Sequence, residues 1–328
     1  MNTNPNTWNV NFASDNVAGA APEIMAALQE ASTGFAMPYG NDDLTEIFRR
    51  YGVVFCHEGA HIEEDECAAP EFYIGGGKLT LLAGENGKFT ADTLAKKLGD
   101  PSAASAVHHA KPAAVSISQL TEKGTAYSLD EIRAIADVAH AHGLKLHMDG
   151  ARFTNAMLGL GCSPAEATWK AGVDALSFGA TKNGAFAAEA VIFFDPQAVK
   201  DFEFRRKRGG HLFSKMRFLS AQLAAYLEND NWLRYAGTAN DAARRLTDGL
   251  TALPGVELLH VVEGNEIFAR ISGPVHQALR SAGCQYYAFG EADDGSVGIR
   301  LVTAFNTTEA DTDHFLKAAR AGAGEAAA

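Results

Sequence analysis

The stretch DALSFGATKNG, residues 174–184, decides how the chain is read. Asp174 to Phe178 is a short, mostly apolar run of the kind that fills a buried strand. Gly179, Ala180 and Thr181 follow, all small, and then one long cation, Lys182. Small neighbours leave room for a flat group, and a strand end aims the amine at it. A lysine desolvated in such a place becomes a nucleophile that bonds carbonyl groups.

A second stretch, LHMDGARFTNA (146–156), sits just before it in the chain. It puts Asp149 at the end of the predicted strand 144–149, with Arg152 three residues on. Open α/β sheets bind ligands at the carboxyl ends of their parallel strands. Taken alone, Asp149 reads first as an aspartate that caps the helix after it. With Lys182 at another strand end of the same sheet, a carboxylate and an amine can share one crevice. An aspartate that keeps a pyridine nitrogen protonated, opposite a lysine that bonds the aldehyde, is the pair that holds pyridoxal phosphate.

The surrounding pattern supplies that sheet. Apolar runs at 113–118, 144–149, 174–180 and 189–195 read as strands, with a helix at 128–143 and another starting at 163. Ser128 and Glu131 form the capping-box spacing, and Gly143 suits the helix end. Strands alternating with helices predict an α/β fold with a largely parallel sheet. Beyond residue 195 long helical patterns dominate (196–208, 214–229, 231–253). Strands at 256–260, 266–271, 285–289 and 297–305 follow, with helices at 274–282 and 308–321. This predicts a large domain over 1–235 and a smaller α+β domain over 236–328.

Composition narrows the partners. The 328 residues are 47% hydrophobic and carry 40 acidic against 28 basic side chains, a net charge of -12. Such a chain is not expected to bind nucleic acid or an anionic membrane. Nothing resembles a spanning helix or a secretory signal, so a cytoplasmic location is expected. Cys56, Cys67, Cys162 and Cys284 are widely spread and read as free thiols. HEGAH (57–61) matches the zinc-protease spacing, but a strand precedes it and Gly59 sits inside it, which opposes the required helix. No metal is expected. GGGKLT (75–80) lacks the first glycine and the hydroxyl residue of a phosphate loop, and reads as a turn feeding a strand.

Six strings in series, FASDN, YGNDDLTE, HEGAHIEEDECAAPE, HMDGARFTNA, SFGATKNG and SKMRFLSAQ, resemble the low-specificity L-threonine aldolases and the wider β-eliminating lyases. The resemblance runs over nearly the whole chain. It implies a pyridoxal-phosphate enzyme of fold type I, the aspartate-aminotransferase fold. It further implies cleavage of β-hydroxy-α-amino acids, threonine or phenylserine in type, to glycine and an aldehyde. Lys182 would carry the cofactor, Asp149 would pair with its ring nitrogen, and His61 would stack on the ring and move the β-hydroxyl proton. Arg152 would reach both the ring oxygen and the substrate carboxylate. Ser14 and Arg300 would hold the same carboxylate, Thr121 would stand near the β-hydroxyl, and Arg205 would belong to a basic stretch near the phosphate. A homodimer or homotetramer is implied as well.

The sequence departs from that family at NDDLTEIFRRYGVVFCHEG (41–59). Relatives have there a strand, a Gly-Thr phosphate loop and the helix it caps. Here Arg50 runs straight into Tyr51, so roughly one βα unit, on the order of thirty residues, is absent. A helix N-terminus is a strong anion site, so its loss is expected to weaken cofactor binding and to leave apolar surface uncovered. A catalytically impaired homologue is the alternative.

Overall fold

The structure, a computed structural model, describes residues 10–31, 52–74, 76–99, 110–196, 202–212 and 214–324. A short strand, β1 (Val10–Asn11), comes first. Six strands then form the main sheet: β2 (Gly52–His57), β3 (Lys78–Leu82), β4 (Lys111–Ser118), β5 (Lys145–Gly150), β6 (Ala175–Gly179) and β7 (Glu189–Phe193). Their order is β3-β2-β4-β5-β6-β7. All neighbours are parallel except β7, which runs antiparallel to β6. Parallel strands need crossovers, and helices supply them. The helix Leu129–Ala141 joins β4 to β5 with the capping box formed by Ser128 and Glu131, and it buries Ile132, Ile135, Ala136 and Ala139.

Alternate residues of the central strands face the main core: Val115 and Ile117, Leu146 and Met148, Leu176 and Phe178. A second body follows. The strands β8 (Val256–Leu258), β9 (Glu266–Ile271), β10 (Cys284–Gln285), β11 (Tyr287–Glu291) and β12 (Val297–Val302) complete the set. Four of them make an antiparallel sheet in the order β11-β12-β9-β8. Its core holds Leu246, Leu250, Ile267, Ile299 and Phe315. The helix Asn231–Thr251 serves both bodies, with Tyr235 in the first core and Leu246 and Leu250 in the second.

The N-terminal segment straps the two together. β1 pairs with β10, and Phe12 packs in the second core. Nine residues after Phe12, Ala21 donates to the Gly184 carbonyl at 2.8 Å, beside the lysine turn of the main sheet. Asp15 lies at the crossing, already turned toward the main body.

Three elements differ from the pattern read in the sequence. The helix expected from 163 ends at Ala167, and a separate turn follows at Trp169–Ala171. Thr168 at the join sits at φ -126° and ψ -107°, outside helical space, and its hydroxyl bonds the Pro164 carbonyl at 2.6 Å. The strand 285–289 divides at Tyr286, which is buried, with its hydroxyl 2.9 Å from His276 Nδ1. The strand 297–305 stops at Val302, because Thr303 turns inward to the Ala239 carbonyl at 2.7 Å.

The main sheet ends at β3 on one side and at β7 on the other. Among the described residues no strand pairs with the outer side of β7. Its Val191 and Ile192 are 40% and 38% exposed, which is high for successive apolar residues of a strand. No helix among the described residues is long and apolar enough to cross a membrane.

Candidate active site

The face of the main sheet opposite the core is polar along its three central strands. Ser116 and Ser118 on β4, His147 and Asp149 on β5, and Ser177 on β6 share it. Ser118 and Ser177 flank Asp149 in register, and Ser116 flanks His147. The His147 ring bridges strands, with Nδ1 2.9 Å from Ser116 Oγ and Nε2 2.9 Å from Ser177 Oγ. Burial pushes its pKa down, against the pull of the Asp149 charge, so the neutral ring is favoured. Sequence reasoning missed these serines and this histidine. The signal was there: polar residues stand two apart at 116 and 118 and at 147 and 149, in strands that read as buried.

Asp149 meets both of its readings. Oδ1 accepts from Ala151 N at 3.0 Å and so holds its own turn. That is the only side-chain hydrogen bond of Asp149 among the described residues, so Oδ2 stays available. Lys182 lies in a single 3₁₀ turn, Thr181–Asn183, after β6. It has no hydrogen bond or ion pair among the described residues. Its neighbours are tightly held. Asn183 Nδ2 donates to Tyr226 Oη at 2.7 Å and to the Trp232 carbonyl at 2.9 Å. Gln222 Oε1 accepts from Phe186 N and Ala187 N, both at 3.0 Å. Glu189 accepts from Ala180 N at 3.2 Å and Thr181 N at 3.3 Å. Burial pushes the Glu189 carboxyl up, while those donors and the Lys182 charge pull it part of the way back. A fixed turn thus carries an uncommitted amine.

The small residues around Lys182 have a different use from the one expected. A Cβ on Gly179 would stand 2.6 Å from the Ala151 carbonyl oxygen, and one on Gly184 (φ +105°) 3.0 Å from the Tyr235 ring. Glycine at 179 lets the ends of β5 and β6 close on each other, so it brings the two turns together rather than opening a space.

A buried charge cluster joins the N-terminal strap, the main sheet and the second body. Arg152 donates to Asp15 through Nε at 2.9 Å and Nη2 at 3.1 Å, and its Nη1 stands 3.3 Å from Glu266 Oε2. Burial alone would weaken the guanidinium charge, but Glu266 and Asp15 more than offset it, and Arg152 stays protonated. Ser14 caps the short turn that carries Asp15, accepting from Asn16 N at 3.1 Å. Arg300 on β12 lies over the Tyr287 ring at 5.1 Å, and its Nε is buried without a hydrogen bond. Asp15 and Glu266 were not foreseen, since nothing local marks either one.

His61 begins a one-turn helix, and its Nδ1 donates to Glu66 at 2.7 Å. That contact leaves Nε2 as the acceptor. His57 ends β2, where Nδ1 accepts from Gly59 N at 3.0 Å and Nε2 donates to the Gly84 carbonyl at 3.1 Å. The two histidines therefore do not lie one turn apart on a helix, as the zinc motif requires. Thr121 is buried, and its hydroxyl is used within its own turn, 2.8 Å from Thr125 Oγ1. Arg205 is half-buried on the helix Phe202–Arg208, whereas the next residue, Arg206, is the buried one. The shortened region falls largely on residues 32–51, outside the described residues.

A sheet of this topology, with an uncommitted lysine and aspartate at the ends of its strands, is the frame of pyridoxal-phosphate enzymes of fold type I. The sequence model of the beta-eliminating lyases matches residues 43–273. Two relatives named low specificity L-threonine aldolase, from a Pseudomonas strain and from Pseudomonas aeruginosa, are each 42% identical. The alignments cover 91% and 90% of this chain and 94% and 93% of the relatives. The chain belongs to the beta-eliminating lyase family and is a pyridoxal-phosphate-dependent lyase. Its fold matches a threonine aldolase from Leishmania major with a TM-score of 0.87 at 22% identity, over 95% of this chain and 99% of that one. A NifS-like protein from Rickettsia africae matches at 0.64 and 14% identity, over 95% and 99%.

The first alignment spans 334 positions yet takes in 91% of 328 residues, so about 35 of its positions have no counterpart here. That number is close to the roughly thirty residues expected to be missing near residue 50. At the ring end the cofactor fits the residues present: among the described residues Asp149 retains an oxygen and Lys182 an amine without a hydrogen-bond partner.

Proposed function

We propose that this lyase cleaves the Cα–Cβ bond of β-hydroxy-α-amino acids of the threonine type, yielding glycine and an aldehyde. The observation that carries the reading is the fixed turn holding an uncommitted Lys182 beside the turn of Asp149. Pyridoxal phosphate, when bound, supplies an electron sink for the pair left at Cα. Lys182 would hold it through its amine, Asp149 would keep the ring nitrogen protonated, and Arg205 would serve the phosphate. Arg152 and Arg300 bind the substrate carboxylate, with Ser14 beside them. His61 takes the β-hydroxyl proton at Nε2, because Glu66 already occupies Nδ1. The Thr121 hydroxyl is used within its turn, so we leave it out of the substrate contacts.

The same reading divides the chain near residue 235 and assembles it as a homodimer or homotetramer in the cytoplasm. A second reading, an impaired homologue, is favoured by the missing positions. Titration with pyridoxal phosphate separates the two. The active enzyme gains the visible absorption of lysine-bound cofactor, loses it in Lys182→Ala, and releases acetaldehyde from threonine. A protein that stays colourless in excess cofactor would sink the aldolase reading.

A further inference from the structure

We propose that binding of a carboxylate between Arg152 and Arg300 is coupled to uptake of one proton by Glu266. The inference rests on the assignment of those two arginines to the substrate carboxylate.

Glu266 opens β9 and is 2% exposed. Its Oε2 has the Arg152 ion pair at 3.3 Å and no hydrogen bond. Three buried polar atoms without a hydrogen bond occur here together, on Glu266, on Arg300 (Nε) and on Asn265 (Oδ1). The charged groups that face Glu266 come from four elements. Asp15 comes from the N-terminal strap, Glu122 from the turn after β4, Arg152 from the turn after β5, and Arg300 from β12. With Glu266 itself that makes two cations against three carboxylates. A bound substrate carboxylate would be a fourth anion, and a buried site does not hold an uncompensated charge.

One carboxylate must therefore take a proton, and the geometry selects it. Asp15 accepts four hydrogen bonds, two from Arg152, one from Ser14 Oγ at 3.3 Å and one from Asn265 Nδ2 at 3.4 Å, so its oxygens are already supplied with donors. Glu122 is part-exposed, so water screens it. Glu266 is buried with little to stabilise its charge. Burial already pushes its carboxyl up, Asp15 and Glu122 push further, and the two arginines only partly oppose them. Carboxylate affinity then falls as pH rises, by about tenfold per unit where Glu266 is ionised in the free enzyme.

The test uses 3-hydroxybutanoate, which is threonine without the amine and cannot bond to the cofactor. Calorimetric titration of the holoenzyme in phosphate, imidazole and Tris, whose ionisation heats differ, counts the protons. The wild type is expected to take up close to one proton per ligand. Glu266→Gln is expected to bind with no uptake and with an affinity independent of pH. A wild type that takes up no proton, or uptake that survives in Glu266→Gln, overturns the proposal. Arg300→Ala tests the underlying assignment separately: undiminished binding there refutes the carboxylate site itself. Absence of any binding by the wild type counts against both.

Discussion

At the entry to β6, Asp174 is saturated. Oδ1 takes Lys145 Nζ at 2.7 Å, and Oδ2 takes His140 Nε2 and Leu146 N, both at 2.8 Å. At the exit of β5 and β6 the polar groups are left open: Lys182 has no partner among the described residues, and Asp149 uses one oxygen. The strands are the same and their two ends differ in purpose. A carboxylate with all its donors in place secures the fold. An amine held by a rigid turn, with nothing to bond, is kept for a ligand. The second arrangement forgoes stability for readiness, which active sites commonly do.

The largest test of this contrast is Lys182→Ala. Turnover should fall by roughly 10⁴-fold or more, read as aldehyde release. The denaturation midpoint of the cofactor-free protein should fall only slightly, because Lys182 makes no hydrogen bond among the described residues and only its charge near Glu189 is lost. A large drop in stability would mean that Lys182 is not the open group described here.

Gly179→Ala comes next. The new Cβ would meet backbone at 2.6 to 2.9 Å around Ala151, which cannot yield as a side chain could. A cost of about 2–3 kcal/mol is expected in denaturant unfolding. Cofactor affinity should fall with it, since the turns of Asp149 and Lys182 are forced apart. Stability lost with unchanged affinity would break the link between the two.

Asp174→Asn should cost less, about 1–2 kcal/mol, because the site is partly solvated. Burial would raise this carboxyl, but Lys145, the Leu146 amide and His140 outweigh it and hold it below the ordinary range. A depressed carboxyl contributes stability above its unfolded pKa, and the contribution is lost as pH falls through the folded one. Wild-type stability should therefore decline below about pH 4, and the asparagine variant should lack that part of the decline. Turnover per folded molecule should not change. The smallest effect is expected for Arg133→Ala. It removes an exposed pair with Asp130 at 2.7 Å and should shift stability by no more than about 0.5 kcal/mol.

Much of this could be read from the chain. Lys182 and Asp149 were legible because each ends an apolar run, and the capping box at Ser128 because its spacing is local. Glu66 stood five residues from His61, but spacing alone does not say that the two meet. Ser116, Ser118, His147 and Ser177 could have been found from the period of two along strands expected to be buried.

The sequence by itself determined most of the order of strands and helices and the cationic strand end, because periodicity and capping are local quantities. Only the tertiary structure decided that Asp15 and Glu266, about 250 positions apart in the chain, would share Arg152. It also decided that the glycines near Lys182 close a gap instead of opening one. Burial and charge pairing between distant segments depend on how the main sheet, the N-terminal strap and the second body pack, and no stretch of sequence contains that packing.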